Sequence, residues 1–350
     1  MVAGRKSLIS SKSVKGVLGY LSHYALKTIV LPGNCTVFTF HRVLSEEEYS
    51  KTTFQKSIAV SDVALQRVLL HIKDRFEIIS LQNLIDYQYG KKEYSSKQAY
   101  ACITFDDGWY DNYTNAFPIL KAMNVPATIF LSTDFIGTDR GFWWQNLGDA
   151  LSCHTLEQTK KNSLARLIVP FVGEAAAELW NVDDIIAIIK QDFYDDVLDI
   201  TEKALEIVGR PLTRHGLDWS HCEVMSEYGV SFGSHTQSHP RLSLLESPLL
   251  EKELRASKKD IKCKGVNYVN AICYPYGDVS SSVIDEAEKY YDIGLTTQLG
   301  IADIGCGSAD EHAGRETSLL SVPRINMPND LALDTGRFNY RLIRAAIRRR

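Results

Sequence analysis

The chain of 350 residues has no run of about 18 consecutive apolar residues, so no segment is expected to cross a bilayer as a helix. It has no excess of positive charge. Its 39 Lys and Arg against 43 Asp and Glu leave a net charge of −4, which removes any global electrostatic reason to expect a nucleic-acid partner. It has no C-x-x-C pair, and its seven cysteines are odd in number. Several, such as Cys102 and Cys273, lie inside apolar runs, where a free thiol behaves as a small hydrophobe. That usage suits a reducing compartment better than a disulfide framework. The N-terminal residues lack a continuous apolar core followed by a small-residue cleavage site, so a secretory signal is not expected and the cytoplasm is the default. Internal repeats and low-complexity tracts are missing. So are acidic residues at both ends: none precedes Glu46, and none follows Asp334, after which six arginines occur.

What is present organises into three parts. Over residues 1–34, Val14, Val17, Leu18, Leu21, Ala25 and Ile29 recur at helical spacing among lysines. This predicts a basic amphipathic helix, packed on the body or lying peripherally on the inner face of an anionic membrane. Gly16 and Gly19 weaken a free-standing helix and favour the packed form. Residues 331–350 read as a basic tail, with Arg337, Arg341, Arg344 and Arg348 on one helical face; solvation accounts for them, and lipid or glycan contact is the alternative.

Residues 35–330 alternate between strand and helix. Cys35–Phe40, Tyr100–Phe105 and Val125–Leu131 are β-branched and aromatic runs that read as buried strands. Helices are expected around 61–75, capped by Ser61-Asp62, and over 112–123. Val230–Gly233 and Val269–Tyr274 resume the alternation after residues 140–215, which are helical in pattern and without a convincing strand. The reading is an α/β fold of parallel βαβ units with a helical insertion over 140–215 that covers one edge or narrows the mouth.

Reactive groups follow the strands directly, and the C-terminal ends of parallel strands are where sites assemble. His41 follows the first strand and Asp106-Asp107-Gly108 the second. His235 and His239 follow the Val230 strand, and Tyr274-Pro275-Tyr276-Gly277 closes the series. Adjacent carboxylates repel unless a cation intervenes, so one is expected to ligate a metal while the other acts as a base; otherwise one simply caps a helix. Two histidines four apart can converge on a metal, although Pro240 favours a loop over a helix here, and a pair of surface histidines would look the same. Two His and one Asp make an N,N,O set with open positions, suited to Zn²⁺ or another divalent transition metal.

Thr104–Gly108, Ser234–His239 and Tyr274–Gly277 resemble, in order, the first three motifs of the polysaccharide deacetylases, the NodB-homology carbohydrate esterases. The resemblance implies a distorted (β/α)7-type barrel. It also implies Asp107, His235 and His239 as metal ligands, Asp106 as the base toward water, and the Tyr276 N–H as oxyanion donor. The substrate implied is an N-acetylated glycan, such as a lipid-linked precursor of a surface polysaccharide.

Two departures stand out. Cys273-Tyr274 replaces the Arg that usually begins the third motif, and no Leu-x-x-His segment occurs after residue 300. Instead Phe38–Val43 is similar to the circularly permuted poly-N-acetylglucosamine deacetylases, in which the acid-bearing strand comes first; His41 is then the general acid. Arg324, in Val322–Asn326, resembles a late Arg of that branch. It is either the missing positive charge near Asp106 or a structural ion-pair partner. Trp109, Tyr110, Trp143, Trp144 and Tyr274 are aromatics that a sugar ring could stack on, or core residues. The alternatives to deacetylation are a deformylase or other amidase on a sugar or nucleotide sugar, and a glycan-binding module without catalysis. Oligomeric state is not legible.

Overall fold

Parallel pairing of short apolar strands builds the scaffold. The computed structural model describes residues 32–153, 156–174, 180–192, 196–304 and 319–348; most of the helix expected within 1–34 lies outside them. The strands are β1 (Asn34–Phe40), β2 (Arg42–Leu44), β3 (Ala59–Ser61), β4 (Glu77–Ile78), β5 (Tyr100–Phe105), β6 (Ala127–Leu131), β7 (Val230–Ser234), β8 (Tyr268–Cys273), β9 (Ile293–Leu295), β10 (Ala302–Asp303) and β11 (Ile325–Asn326). The main sheet runs β10-β1-β5-β6-β7-β8-β9, parallel except at β10. β4 pairs with β5, and β2 and β3 form a separate pair.

The segment 322–326 turns this sheet into a ring. Val322 bridges Leu295 of β9, while β11 pairs with β1, Phe38 opposite Ile325 and Thr39 opposite Asn326. The result is the distorted α/β barrel expected, seven strands around: β1, β5, β6, β7, β8, β9 and β11.

Period-2 alternation sorts β1 and β5 between two clusters. Phe38, Phe40, Ile103 and Phe105 point outward into a core shared with the helix Asp62–Lys73, whose first turn is capped by the Ser61 side chain. Each such buried Phe contributes about 1.5–3 kcal/mol. Cys35, Val37 and Cys102 belong to the opposite side. Those two thiols, 3.6 Å apart, are free and buried.

Between β6 and β7 lie the helices Trp143–Leu151, Gln158–Val172, Val182–Asp192 and Val197–Val208. They share a core of Trp143, Leu147, Ile168, Ile185 and Ile200, to which Trp109 from the barrel also belongs. The expectation of a solvated tail over 331–350 is corrected. Thr335–Ile347 is a helix whose Phe338, Leu342 and Ala345 are buried, and Phe338 stacks on Phe38 of β1 at 5.8 Å. Its arginines lie on one side because the other packs. No helix among the described residues is long and apolar enough to cross a membrane.

Candidate active site

Strand register explains why residues far apart in sequence meet. β1 pairs with β5, Phe40 opposite Phe105, so one step beyond each strand His41 stands beside Asp106. The Asp106 N–H continues the ladder to the Phe40 carbonyl at 3.0 Å. Likewise β6 pairs with β7, Leu131 opposite Ser234; the next N–H, that of His235, donates to the Leu131 carbonyl at 2.9 Å. β8 ends at Cys273, whose carbonyl lies 2.7 Å from His235 Nδ1.

Past the strand ends the backbone leaves ordinary conformations. Asp107, Thr236, His239 and Tyr276 all have positive φ, at 74°, 65°, 65° and 62°. For side chains with a Cβ this is a strained region, and such residues concentrate where a scaffold forces a geometry. The turn at Asp107 is followed by Gly108 at φ 84°, where a Cβ would meet the side chains of Leu131 and Ile136. As Pro240 implied, His235 and His239 sit on a loop rather than a helix.

Asp107, His235 and His239 converge, their ligand atoms all within 4.8 Å of one another. Asp107 Oδ1 lies 3.4 Å from His235 Nε2 and 3.3 Å from His239 Nε2. The far side of each is held. Trp109 Nε1 donates to Asp107 Oδ2 at 2.8 Å, the Cys273 carbonyl holds His235 Nδ1, and the Tyr276 hydroxyl holds His239 Nδ1 at 2.9 Å. One oxygen and two Nε2 atoms therefore remain facing a common point, with outer partners of the kind that orient metal ligands. This donor set fits a divalent transition cation. Asp106, His235 and Cys273 also cluster, but both Asp106 oxygens are already taken by a guanidinium.

The protonation states follow from burial against charge. Burial would raise Asp107, yet hydrogen bonds from His235 and His239 hold it well below 3.8. Burial pushes His239 down to about 4, so it is neutral. Against burial, Cys273 and Asp107 hold His235 well above its ordinary value.

Arg324, 1% exposed, grips Asp106 with both arms: Nη1 to Oδ1 at 2.8 Å and Nη2 to Oδ2 at 2.7 Å. Its Nε donates to the Thr296 carbonyl, and Nη1 also reaches Thr39 Oγ1. Burial would raise Asp106, but the Arg324 charge and hydrogen bonds bring it to about 2. His41 Nε2 lies 3.7 Å from Asp106 Oδ2. Burial lowers its pKa despite the two aspartates, and its Nδ1 has no hydrogen-bond partner among the described residues. Tyr276 occupies the turn after β8, within the short 3₁₀ segment Pro275–Gly277.

His41, Asp106, Asp107, His235, His239 and Tyr276 line one cavity of about 340 Å³ whose other wall includes Trp144, Ile186 and Lys190 from the insertion. The aromatics divide. Trp144 and Tyr274 line the cavity, Tyr110 is exposed away from it, and Trp143 and Trp109 are core. Trp109 is thus unavailable for sugar stacking and supports Asp107 instead. Sequence reasoning missed that role, the Tyr276 hydroxyl and Lys190. An amphipathic helix bearing one lysine beside its apolar stripe was the only available signal for Lys190.

Residues 93–291 match the model of the polysaccharide deacetylase family, more than half of the 350-residue chain. That span stops short of β1 and of the closing segment. "Putative polysaccharide deacetylase YxkH" of Bacillus subtilis is 23% identical over 220 residues, 63% of this chain and 52% of that one, so the chain spans about half the length of this curated relative. Among solved structures, the Streptococcus pyogenes deacetylase PplD in complex with acetate is 18% identical with a TM-score of 0.54, covering 90% of this chain and 98% of that one. IcaB from Ammonifex degensii is 16% identical with a TM-score of 0.53, covering 88% and 97%. At these identities the two structures share the fold. The strand order, the motif positions and the family match converge: this chain belongs to the polysaccharide deacetylase family.

Proposed function

We propose that the chain hydrolyses the N-acetyl group of an amino sugar in a polysaccharide or lipid-linked glycan precursor, releasing acetate, with a divalent cation held by Asp107, His235 and His239. The observation that carries this reading is the N,N,O set with every outer atom held, beside a second carboxylate kept ionised by Arg324. In this reading the barrel over 35–330 is the catalytic unit, and the helices between 140 and 215 roof its mouth. Zn²⁺ is the ion the donor set suits best. A divalent cation there supplies Lewis acidity toward the amide carbonyl and acidifies water.

The protein's own groups do the rest. Asp106 takes a proton from the attacking water. A carboxylate at about 2 is a weak base, competent only toward acidified water and only if the proton moves on. His41, 3.7 Å away and held neutral by burial, is placed to receive that proton and deliver it to the departing amine nitrogen. The Tyr276 N–H donates to the oxyanion, and Arg324 orients Asp106 without touching substrate. Water and amide are consumed; acetate and free amine leave.

The test is acetate and formate release from N-acetylated chitooligosaccharides and N-formyl analogues, by wild type and Asp106→Asn, with chelator and with added Zn²⁺. Metal-dependent acetate release lost in Asp106→Asn is expected. Release of formate alone would make the chain a deformylase. Neither acid, from a metal-loaded protein, would favour a site kept for binding.

A further inference from the structure

Two cations flank the Tyr276 ring, Lys190 lining the cavity and Arg241 behind it, and neither makes an ion pair among the described residues. Lys190 comes from the insertion helix Val182–Asp192, its Nζ 4.4 Å from the Tyr276 ring centroid and 5.3 Å from that of Trp144. Arg241 follows the His239-Pro240 turn, its Cζ 5.3 Å from the same Tyr276 ring. Its Nε is buried and has no hydrogen-bond partner among the described residues. Asp106 is held by Arg324, and Asp107 by Trp109 and the two histidines. Asp183, on the same cavity, accepts from the Gln55 N–H and makes no ion pair with either cation.

A lysine and an arginine against one aromatic ring repel each other. Burial lowers the Lys190 pKa to about 8; Asp107 opposes this and Arg241 adds to it, which leaves the ammonium charged at neutral pH and short of counter-charge. The ring faces attract each cation but leave the repulsion between them uncancelled. A neutral sugar hydroxyl would leave the repulsion in place. An oxyanion would remove it and accept charge-assisted hydrogen bonds, roughly twice as strong as neutral ones. A divalent ion on Asp107 would make the surroundings more positive still.

We propose that Lys190 and Arg241 form an oxyanion subsite beside the acetamide position, so that the preferred glycan carries a carboxylate or phosphate next to its N-acetylated sugar. The proposal rests on the deacetylase reading of the same cavity. It makes the insertion a specificity device, since Lys190 is brought to the barrel by a helix outside the strand–helix alternation.

The experiment compares three probes on the metal-loaded protein. They are a tetrasaccharide alternating N-acetylglucosamine with glucuronate, its carboxyl methyl ester, and an N-acetylchitobiose 1-phosphate. Acetate release gives kcat/KM, and calorimetry on Asp106→Asn gives binding without turnover. The expected result is about a tenfold preference for the acid over its ester in both readouts. That ratio should fall toward one in Lys190→Met and Arg241→Gln and be restored in Lys190→Arg. Preference for the phosphate over the uronate would assign the anion to a phosphorylated sugar; the reverse would assign it to an acidic sugar. Equal handling of acid and ester by wild type overturns the subsite, and so does an unchanged ratio in both variants. Selective binding to Asp106→Asn with no acetate from wild type keeps the subsite and sinks the deacetylase reading. No selective binding at all overturns the subsite whatever the activity.

Discussion

Removing the Arg324 charge tests how the candidate base is kept ionised. In the native protein Asp106 sits at about 2, below its ordinary 3.8, so its ionisation contributes stability that is present above pH 3.8 and is lost as pH falls toward 2. In Arg324→Met burial, the Thr39 hydroxyl and the more distant histidines act on it, and burial is the dominant influence. Its pKa then lies above 3.8, and ionising it costs stability that grows as pH rises. Breaking a buried pair by deleting one partner costs about 3–5 kcal/mol where the other stays charged, whereas replacing both is often neutral. Chemical denaturation of the metal-free protein should therefore show a deficit of about that size near pH 8. The deficit should shrink toward about pH 4.5, where the variant's Asp106 takes up a proton. The double variant Asp106→Leu/Arg324→Met should recover most of it. Acetate release should show its acid limb moved to higher pH, because a protonated Asp106 cannot serve as base. Arg324→Lys restores charge without the bidentate grip and should fall between. Equal deficits at both pH values, or an acid limb that stays in place, would refute the argument.

Cys273 and Asp107 raise the His235 pKa, so a proton competes with metal there, and Zn²⁺ affinity should rise with pH. Competition titrations showing a flat dependence would deny it. Trp109→Phe removes the donor to Asp107 Oδ2 and should weaken metal binding about 10–100-fold while the fold is retained, measured by calorimetry and circular dichroism. At Gly277, φ is 68° and a Cβ would run into Thr297 Oγ1 and backbone N, so Gly277→Ala should lose about 1–3 kcal/mol in thermal unfolding. Gly173→Ala, at φ 80° and ψ 161° with open space around it, should lose only its backbone strain, about 1–3 kcal/mol.

Much of this was legible because strands of buried β-branched residues announce themselves and end where chemistry begins. Tyr100–Phe105 matches β5 in full, and the residues just past β1, β5 and β7 are the ones that meet. β9, β10 and β11 were not legible. Strands of two or three residues carry too little pattern, and β11 exists only because β1 is there to pair with it. The position of Arg324 against Asp106 depends on that closure, so its spacing of 218 residues held no local signal. The C-terminal helix was misjudged as solvated because six arginines outweighed Phe338 and Leu342, which pack. Lys190 was invisible for a different reason: a lysine on a helix usually faces water, and only the roofing of the cavity turns this one inward.

The closing segment has a consequence for the order in which the protein comes into being. Asp106 emerges from the ribosome more than 200 residues before Arg324. Until residues 322–326 are made, the ring lacks the piece that joins β9 to β1, and the carboxylate has no guanidinium. Even if β1, β5, β6, β7 and β8 paired before then, Asp106 would lack the guanidinium that grips it. Assembly of the candidate site is therefore deferred until residues 322–326 have been made, and a polypeptide interrupted before Val322 should be inert however well its earlier strands assemble.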